Sequence, residues 1–355
     1  MIGFVISAFV AARINRVPYI PVVLWFSICI LLIISYYSLF LGNEPSLIIR
    51  FLIILTLICV VYHIKPDVNY FYIAIACFYI QALVVIVFQV LLSYFFSPEY
   101  ATSIRNIYIS NGWGDVYNYG YGLWNIQLKG NALLPFFCFA SYVVFEGRKR
   151  LFITSTFAIA TVFSGNFAFV LGFIAFFLLY SLIKINFSMN RLLIFIFSFF
   201  SILVLSFEPA SRYLEKVIEQ KSGYSGQHRV EQTLALIGDL SNSYFSVLFG
   251  RGLGNVDVSG FGFEYHNVIY FELQTLYILN QMGLLFFSAF VILNVIFTIK
   301  YIKEPVLGAI YIAYLVYSFW NPYVFDTNHI IVIAVLISLP DLIRDKKRKL
   351  RGHPC

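Results

Sequence analysis

Charge is what this sequence has least of. Only 12% of its 355 residues are Asp, Glu, Lys or Arg, against about 25% in soluble globular domains, which is too little to cover a water-facing surface. Cysteine is also sparse. Cys29, Cys59, Cys77 and Cys138 fall inside apolar runs and Cys355 is terminal, so no disulfide framework or cysteine-based metal cluster is visible. His63, His228, His266, His329 and His353 are scattered without metal-site spacing. The first dozen residues carry neither a basic n-region nor a small-residue cleavage site, so no removed signal peptide is expected. No internal repeat is apparent, which argues against transporters built from inverted halves.

What the chain has in abundance is hydrocarbon. Hydrophobic residues make up 61% of it and aromatic ones 19%, with a mean hydropathy of +0.84. Apolar runs recur at about 1–12, 19–41, 46–64, 70–95, 131–146, 151–164, 166–183, 191–207, 283–300, 306–321 and 329–343. These predict an all-α, polytopic integral membrane protein with about eleven transmembrane helices; segment 1–12 is short for a span. Two polar interruptions stand out, at 96–130 and 208–282.

The basic residues set an orientation. With the C-terminus in the cytoplasm, 16 of the 24 Lys and Arg and 5 of the 17 acidic residues fall on the inner side, as the positive-inside rule requires. The tail from Arg344 to Arg351 then reads as an orientation signal and lipid-headgroup contact, and the net charge of +7 does not indicate a nucleic-acid partner. Both long interruptions face outwards.

The first outer loop is rich in Tyr, Asn, Gly and Trp. Trp113 and Trp124 suit stacking on sugar rings, and equally an interfacial aromatic belt. The second loop predicts a helix over Ala210–Gln220, a flexible stretch at 222–226, and another helix over Arg229–Leu240. In that helix Val230, Leu234, Ile237 and Leu240 recur at helical spacing, so it lies on the membrane or on the bundle. Gly250, Gly252 and Gly254 then permit tight turns and close backbone approach.

Candidate chemistry lies on both sides of this turn in the sequence. The Gly250-Arg251-Gly252-Leu253-Gly254 run has no Walker ending, and no strand–turn–helix unit with an acidic partner surrounds it. His266, beside Asn267 at the start of a helix, has the chemistry of a general base for a hydroxyl. Arg229, Arg251 and Arg212, with Arg50 near the outer end of a span, suit pyrophosphate oxygens; the alternative for each is a solvated or snorkelling charge. Glu264 and Glu272 are placed to orient His266 or hold an acceptor sugar, and no glycosidase-type carboxylate pair is assignable.

An arginine early in a large outer loop, a G-x-G turn, His-Asn, and a glycine at an apolar run follow one another here as Arg229, Gly252-x-Gly254, His266-Asn267 and Gly283-Leu284-Leu285. In this the chain, over about 225–300, resembles the O-antigen ligase/polymerase superfamily; its Phe and Tyr richness and modest length look like the O-antigen polymerase (Wzy) branch. It departs from the family at Ser164-Gly165-Asn166, where an arginine is common, and at Gln281, where an acidic residue is common.

The resemblance implies a metal-independent inverting glycosyltransferase of the bacterial inner membrane, with its site in the periplasm and no cofactor. Its donor and acceptor would be undecaprenyl-pyrophosphate-linked oligosaccharides. His266 would serve as base, with Arg229 needed beside it. Arg251, Arg50 and Arg212 would bind the pyrophosphate, and Asn267, Glu264, Glu272, Trp113 and Trp124 would bind substrate. A chain-length regulator (Wzz-type) and a flippase would be its partners. The alternatives are an O-antigen ligase that transfers to lipid A core and a lipid-linked oligosaccharide flippase or transporter.

Overall fold

The computed structural model describes residues 22–118, 124–184, 227–254, 273–319, 321, 323–324 and 326–350. They are mostly helical: α1 Val22–Phe40, α2 Pro45–Ile64, α3 Val68–Phe95, α4 Ala101–Ser110, α5 Leu134–Val144, α6 Gly147–Phe163, α7 Phe167–Lys184, α8 Gln227–Leu240, α9 Tyr244–Phe249, α10 Gln274–Phe297, α11 Pro305–Ser318, α12 Thr327–Ser338 and α13 Pro340–Leu350. Local chemistry sets several of these ends. The Asp67 carboxylate accepts from the N–H groups of Asn69 and Tyr70 at the start of α3, and Pro45 and Pro305 open α2 and α11 at positions where a missing N–H costs nothing.

Among the described residues, Val68–Phe95, Thr275–Ile302 and Thr327–Lys346 are long and apolar enough to cross a membrane. Shorter apolar helices run over Ser27–Phe40, Phe51–Tyr62, Asn131–Val144, Phe167–Ile183 and Pro305–Ser318. The expected runs 1–12 and 191–207 lie outside the described residues.

The first polar interruption is not a plain loop. It folds into α4 and a two-stranded antiparallel hairpin, β1 Gly114–Asn118 and β2 Trp124–Leu128, with Val116 opposite Ile126. Val116, Trp124 and Ile126 are buried, the alternation of a strand with one inward face. Arg105 clamps α4 to the hairpin by donating from Nε and Nη2 to the two Asp115 oxygens, each at 2.9 Å. Gln81 of α3 secures the strand exit by donating to Lys129 O at 2.9 Å and Asn131 Oδ1 at 2.8 Å.

The largest core joins α3, the hairpin, α5, α6, α7, α11 and α12 and is strongly aromatic. Phe139 stacks on Phe176 at 4.5 Å and Phe78 on Phe137 at 4.9 Å between centroids, within the range where ring pairs add to area burial. A second core joins α1, α2, α8, Leu253 and α10.

Helix ends sort into two poles. At one, Asn43 bonds to Arg251 O and Leu253 O, Tyr317 to Ala132 O, Asn166 to Asn321, and Thr275 to Phe319 O. At the other, Lys65 and Lys300 lie over the Tyr301 ring, and Lys346 of α13 binds Glu146 at 2.8 Å and the last carbonyls of α5, Val143 and Val144. A cation on a helix C-terminus is favourable, and here it fixes the basic tail helix beneath the α5–α6 turn.

Candidate functional site: a glycine turn docked on a broken helix

The site begins with a defect in α10. Gly283 has φ 62° and ψ 178° inside the helix, a conformation confined in practice to glycine. The break leaves the Asn280 and Gln281 carbonyls to accept from Arg251 N at 2.9 Å and Gly252 N at 3.1 Å. Gly250, at φ 81°, ends α9 and passes Gly283 backbone to backbone. A Cβ on Gly250 would lie 2.3 Å from Gln281 O, and one on Gly283 would lie 2.3 Å from Gly250 N. Neither position has room for a side chain.

The α1–α2 turn holds the other side of the glycine run. Tyr37 donates to Gly250 O at 3.0 Å, and Asn43 Nδ2 to Arg251 O and Leu253 O at 3.0 and 3.2 Å. Leu253 N donates to Ser38 Oγ at 2.7 Å, and that hydroxyl donates to Ile34 O at 2.6 Å. Gly254 N donates to Gln281 Oε1. The turn is thus fixed by backbone and amide contacts from α1, the α1–α2 turn and α10 together.

On this mount sits Arg251. Its Nε lies 2.9 Å from Asp239 Oδ1, with the arginine side chain 29% exposed and the aspartate fully buried. The contact is an ion pair rather than an aligned hydrogen bond. Asn280 Nδ2 donates to Asp239 Oδ2 at 3.0 Å and to Leu236 O at 3.1 Å, and Gln281 Nε2 donates to Asn280 Oδ1 at 3.0 Å. Together these make a buried polar relay from Gln281 to Arg251. Burying a carboxylate is costly unless it is paired and hydrogen-bonded, and both conditions are met.

The expected site residues fall into three groups. Arg251 is in place. Arg229 and Arg50 are described in backbone only, within α8 and α2; Arg229 lies ten residues before Asp239, about 15 Å along the helix. Arg212, Glu264, His266, Asn267 and Glu272 lie outside the described residues. The chain leaves the docked turn at Gly254 and is described again from Leu273, the residue before α10.

The two tryptophans separate. Trp113 is 56% exposed beside the hairpin, with its edge on Tyr108. Trp124 is a core residue, 1% exposed, its backbone bridged by the Gln89 amide at 2.7 and 3.1 Å. An exposed ring is therefore present at Trp113 and not at Trp124, whose position on the inward face of β2 buries it. Sequence reasoning missed Asp239, Asn280, Ser38 and Asn43. Asp239 had one visible signal: it stands on α8 opposite the Val230–Leu234–Ile237 stripe.

Beneath the break lies a second polar chain. His329 Nδ1 meets Val324 O at 2.8 Å and Nε2 meets the Tyr311 hydroxyl at 2.9 Å; Tyr311 donates to Asn294 Oδ1 at 2.7 Å. Asn294 and His329 close one end of an apolar cavity of about 60 Å³ that Met282, Phe286, Leu31 and Ser27 also line. Among the described residues no group of three or more His, Cys, Asp or Glu is placed to hold a metal ion. Searched against protein-family models, curated proteins and solved structures, the chain matches none.

Proposed function

We propose that this chain is a polytopic bacterial inner-membrane glycosyltransferase that polymerises O-antigen repeat units on the periplasmic side. One undecaprenyl-pyrophosphate-linked oligosaccharide is the donor and a second is the acceptor. His266 takes the proton of the acceptor hydroxyl, whose oxygen bonds to the donor anomeric carbon. The bond from that carbon to the pyrophosphate breaks with inversion, and undecaprenyl pyrophosphate leaves. Arg229, Arg251 and Arg50 carry the charge of the leaving group. The pyrophosphate is already an activated leaving group, so the transfer calls for neither nucleotide nor metal ion. About eleven spans, with the basic pole in the cytoplasm, complete the topology.

One observation supports this reading above the rest: the G-R-G-L-G turn is docked on the Gly283 break of a helix long enough to cross a membrane. The glycine turn and the Gly283 end of the motif-bearing stretch therefore meet. Donors preorganised around a developing charge are worth about a hundred- to a thousand-fold in rate each.

The test is complementation in the strain of origin, read as a lipopolysaccharide ladder, with membrane levels checked for every variant. Wild type should restore the ladder, and His266→Ala and Arg229→Ala should leave a single repeat unit on the lipid A core. A knockout that shows core without any repeat unit would assign the chain to ligation or flipping instead. A normal ladder from well-expressed His266→Ala would remove the general base.

A further inference from the structure

Helix α8 is inside out for a helix in water. Its polar residues Gln232 and Asp239 are buried with Ala235 and Leu236, whereas Val230, Leu234 and Ile237 are 59%, 57% and 49% exposed. At about 100° per residue the two sets occupy opposite faces. The buried face meets α10 through the Asn280 bonds to Leu236 O and Asp239. Helix α9 repeats the inversion: Ser246 is buried, while Tyr244, Phe245 and Leu248 are exposed.

These apolar faces continue into others. Phe245 and Phe249 pack on the Tyr37 ring of α1, beside exposed Tyr36 and Phe40, and Phe249 packs on Phe286 of α10 near exposed Leu284 and Leu285. The α9 face therefore continues onto α1 and onto α10, a helix long and apolar enough to cross a membrane, and α8 leads into α9 in the chain with its own apolar face exposed. An exposed apolar surface of this kind marks an interaction surface, and a helix with one apolar and one polar face is suited to a membrane interface.

We infer that α8 and α9 are embedded in the lipid–water interface at the pole of the glycine turn, with their apolar faces in the acyl region and their polar faces on α10. The partner is the bilayer itself, and the inference rests on the membrane part of the proposed reading and not on its chemistry. It places the Arg251–Asp239 pair at headgroup depth, level with the phosphates of any lipid-anchored ligand.

The test uses the full-length chain in phosphatidylethanolamine/phosphatidylglycerol vesicles. Leu234→Cys, Ile237→Cys and Leu248→Cys are introduced singly into a cysteine-free variant and spin-labelled, and oxygen and a water-soluble nickel chelate compete as relaxants. Oxygen should dominate severalfold at all three positions, and the chelate at Asn111→Cys, on the exposed turn before the hairpin. Chelate dominance at 234, 237 and 248 would overturn the inference, because the faces would then be in water. So would exclusion of both relaxants, because a second copy or another part of the chain would then cover them. Should the cysteine-free variant not fold, a photoreactive diazirine at position 245 in the native background gives a second readout. Lipid adducts are expected, and peptide adducts alone would sink the idea. Neither readout depends on turnover, so failure here and failure of the polymerase reading are separable.

Discussion

Replacing Gly283 by alanine tests the docked turn directly. The residue sits at φ 62° and ψ 178°, and holding a non-glycine residue there costs about 1–3 kcal/mol. The new Cβ would also lie 2.3 Å from Gly250 N and 2.6 Å from the Leu248 carbonyl. Both neighbours are backbone, so neither can swing aside, and overpacking of that kind adds about 1–3 kcal/mol. The expected total is about 2–6 kcal/mol, a loss of several degrees in the melting temperature of the detergent-solubilised protein. Two other glycines separate the contributions. Gly42, at φ 79° with nothing within 4 Å of an added Cβ, carries backbone strain alone, so Gly42→Ala should cost about 1–2 kcal/mol. Gly308, helical and in open space, carries neither, and Gly308→Ala should be neutral or stabilising by up to about 1 kcal/mol. Gly250→Ala combined with Gly283→Ala should cost less than the sum, since either change alone already forces the two backbones apart. The readout is fluorescence-detected size exclusion after a heating series. A Gly283→Ala protein that melts with Gly308→Ala would refute the close approach and the docking built on it.

Three further outcomes follow from the same geometry. Arg251→Ala removes the ion-pair partner of the buried Asp239 carboxylate and should cost about 3–5 kcal/mol; adding Asp239→Asn should recover part of that, and thermal melts of all four members of the cycle would show the coupling. Tyr311→Phe removes the hydroxyl between His329 and Asn294 and should destabilise by about 1–3 kcal/mol, whereas Tyr100→Phe, at an exposed position, should not. Lys346, through its hydrogen bond and its charge, holds the Glu146 carboxyl below its ordinary value. The Glu146 part of the anchoring of α13 is therefore full above the ordinary carboxylate pKa of about 4.3 and is lost as pH falls through the lowered one, while the bonds to Val143 and Val144 persist; hydrogen-exchange protection in residues 340–346, relative to the intrinsic rate at each pH, should fall there, and in Lys346→Gln at every pH.

Much of the helical framework is legible in the sequence because a hydrocarbon environment allows few alternatives. Backbone groups must be satisfied within each segment, so an apolar run of sufficient length is already a helix. The runs expected at 70–95 and 166–183 appear as Val68–Phe95 and Phe167–Lys184, and the helix expected from Arg229 to Leu240 appears as Gln227–Leu240. Errors arise where the determinant is far away in the chain. The run expected from 283 begins at Gln274, because Asn280 and Gln281 look like loop residues until the turn at 250–254 takes up their carbonyls. The hairpin at 114–128 was missed although Val116, Trp124 and Ile126 alternate, since five-residue strands are too short to stand out without their partner. Trp124 reads as a surface ring in the sequence because composition does not distinguish the inward face of a strand from the outward one. Asp239 gave little sign of its role, which comes from Arg251 and from Asn280, 41 residues further on.

The pairing of Arg251 with Asp239 changes what an arginine here can contribute. An isolated guanidinium attracts anions through its net charge. One held 2.9 Å from a fully buried carboxylate is close to neutral when seen from a distance. On the proposed reading its value to a phosphate ligand would lie in position more than in long-range attraction: the ion pair holds the guanidinium near Asp239, Asn280 holds Asp239, and Gln281 holds Asn280. On that reading Arg229 and Arg50 would supply the rest of the charge that meets the pyrophosphate. Attraction and aim would then rest on different residues. Loss of an attracting arginine would weaken binding in a salt-dependent way, whereas loss of Arg251 would also disturb the contact of α8 with α10 through Asp239 and Asn280.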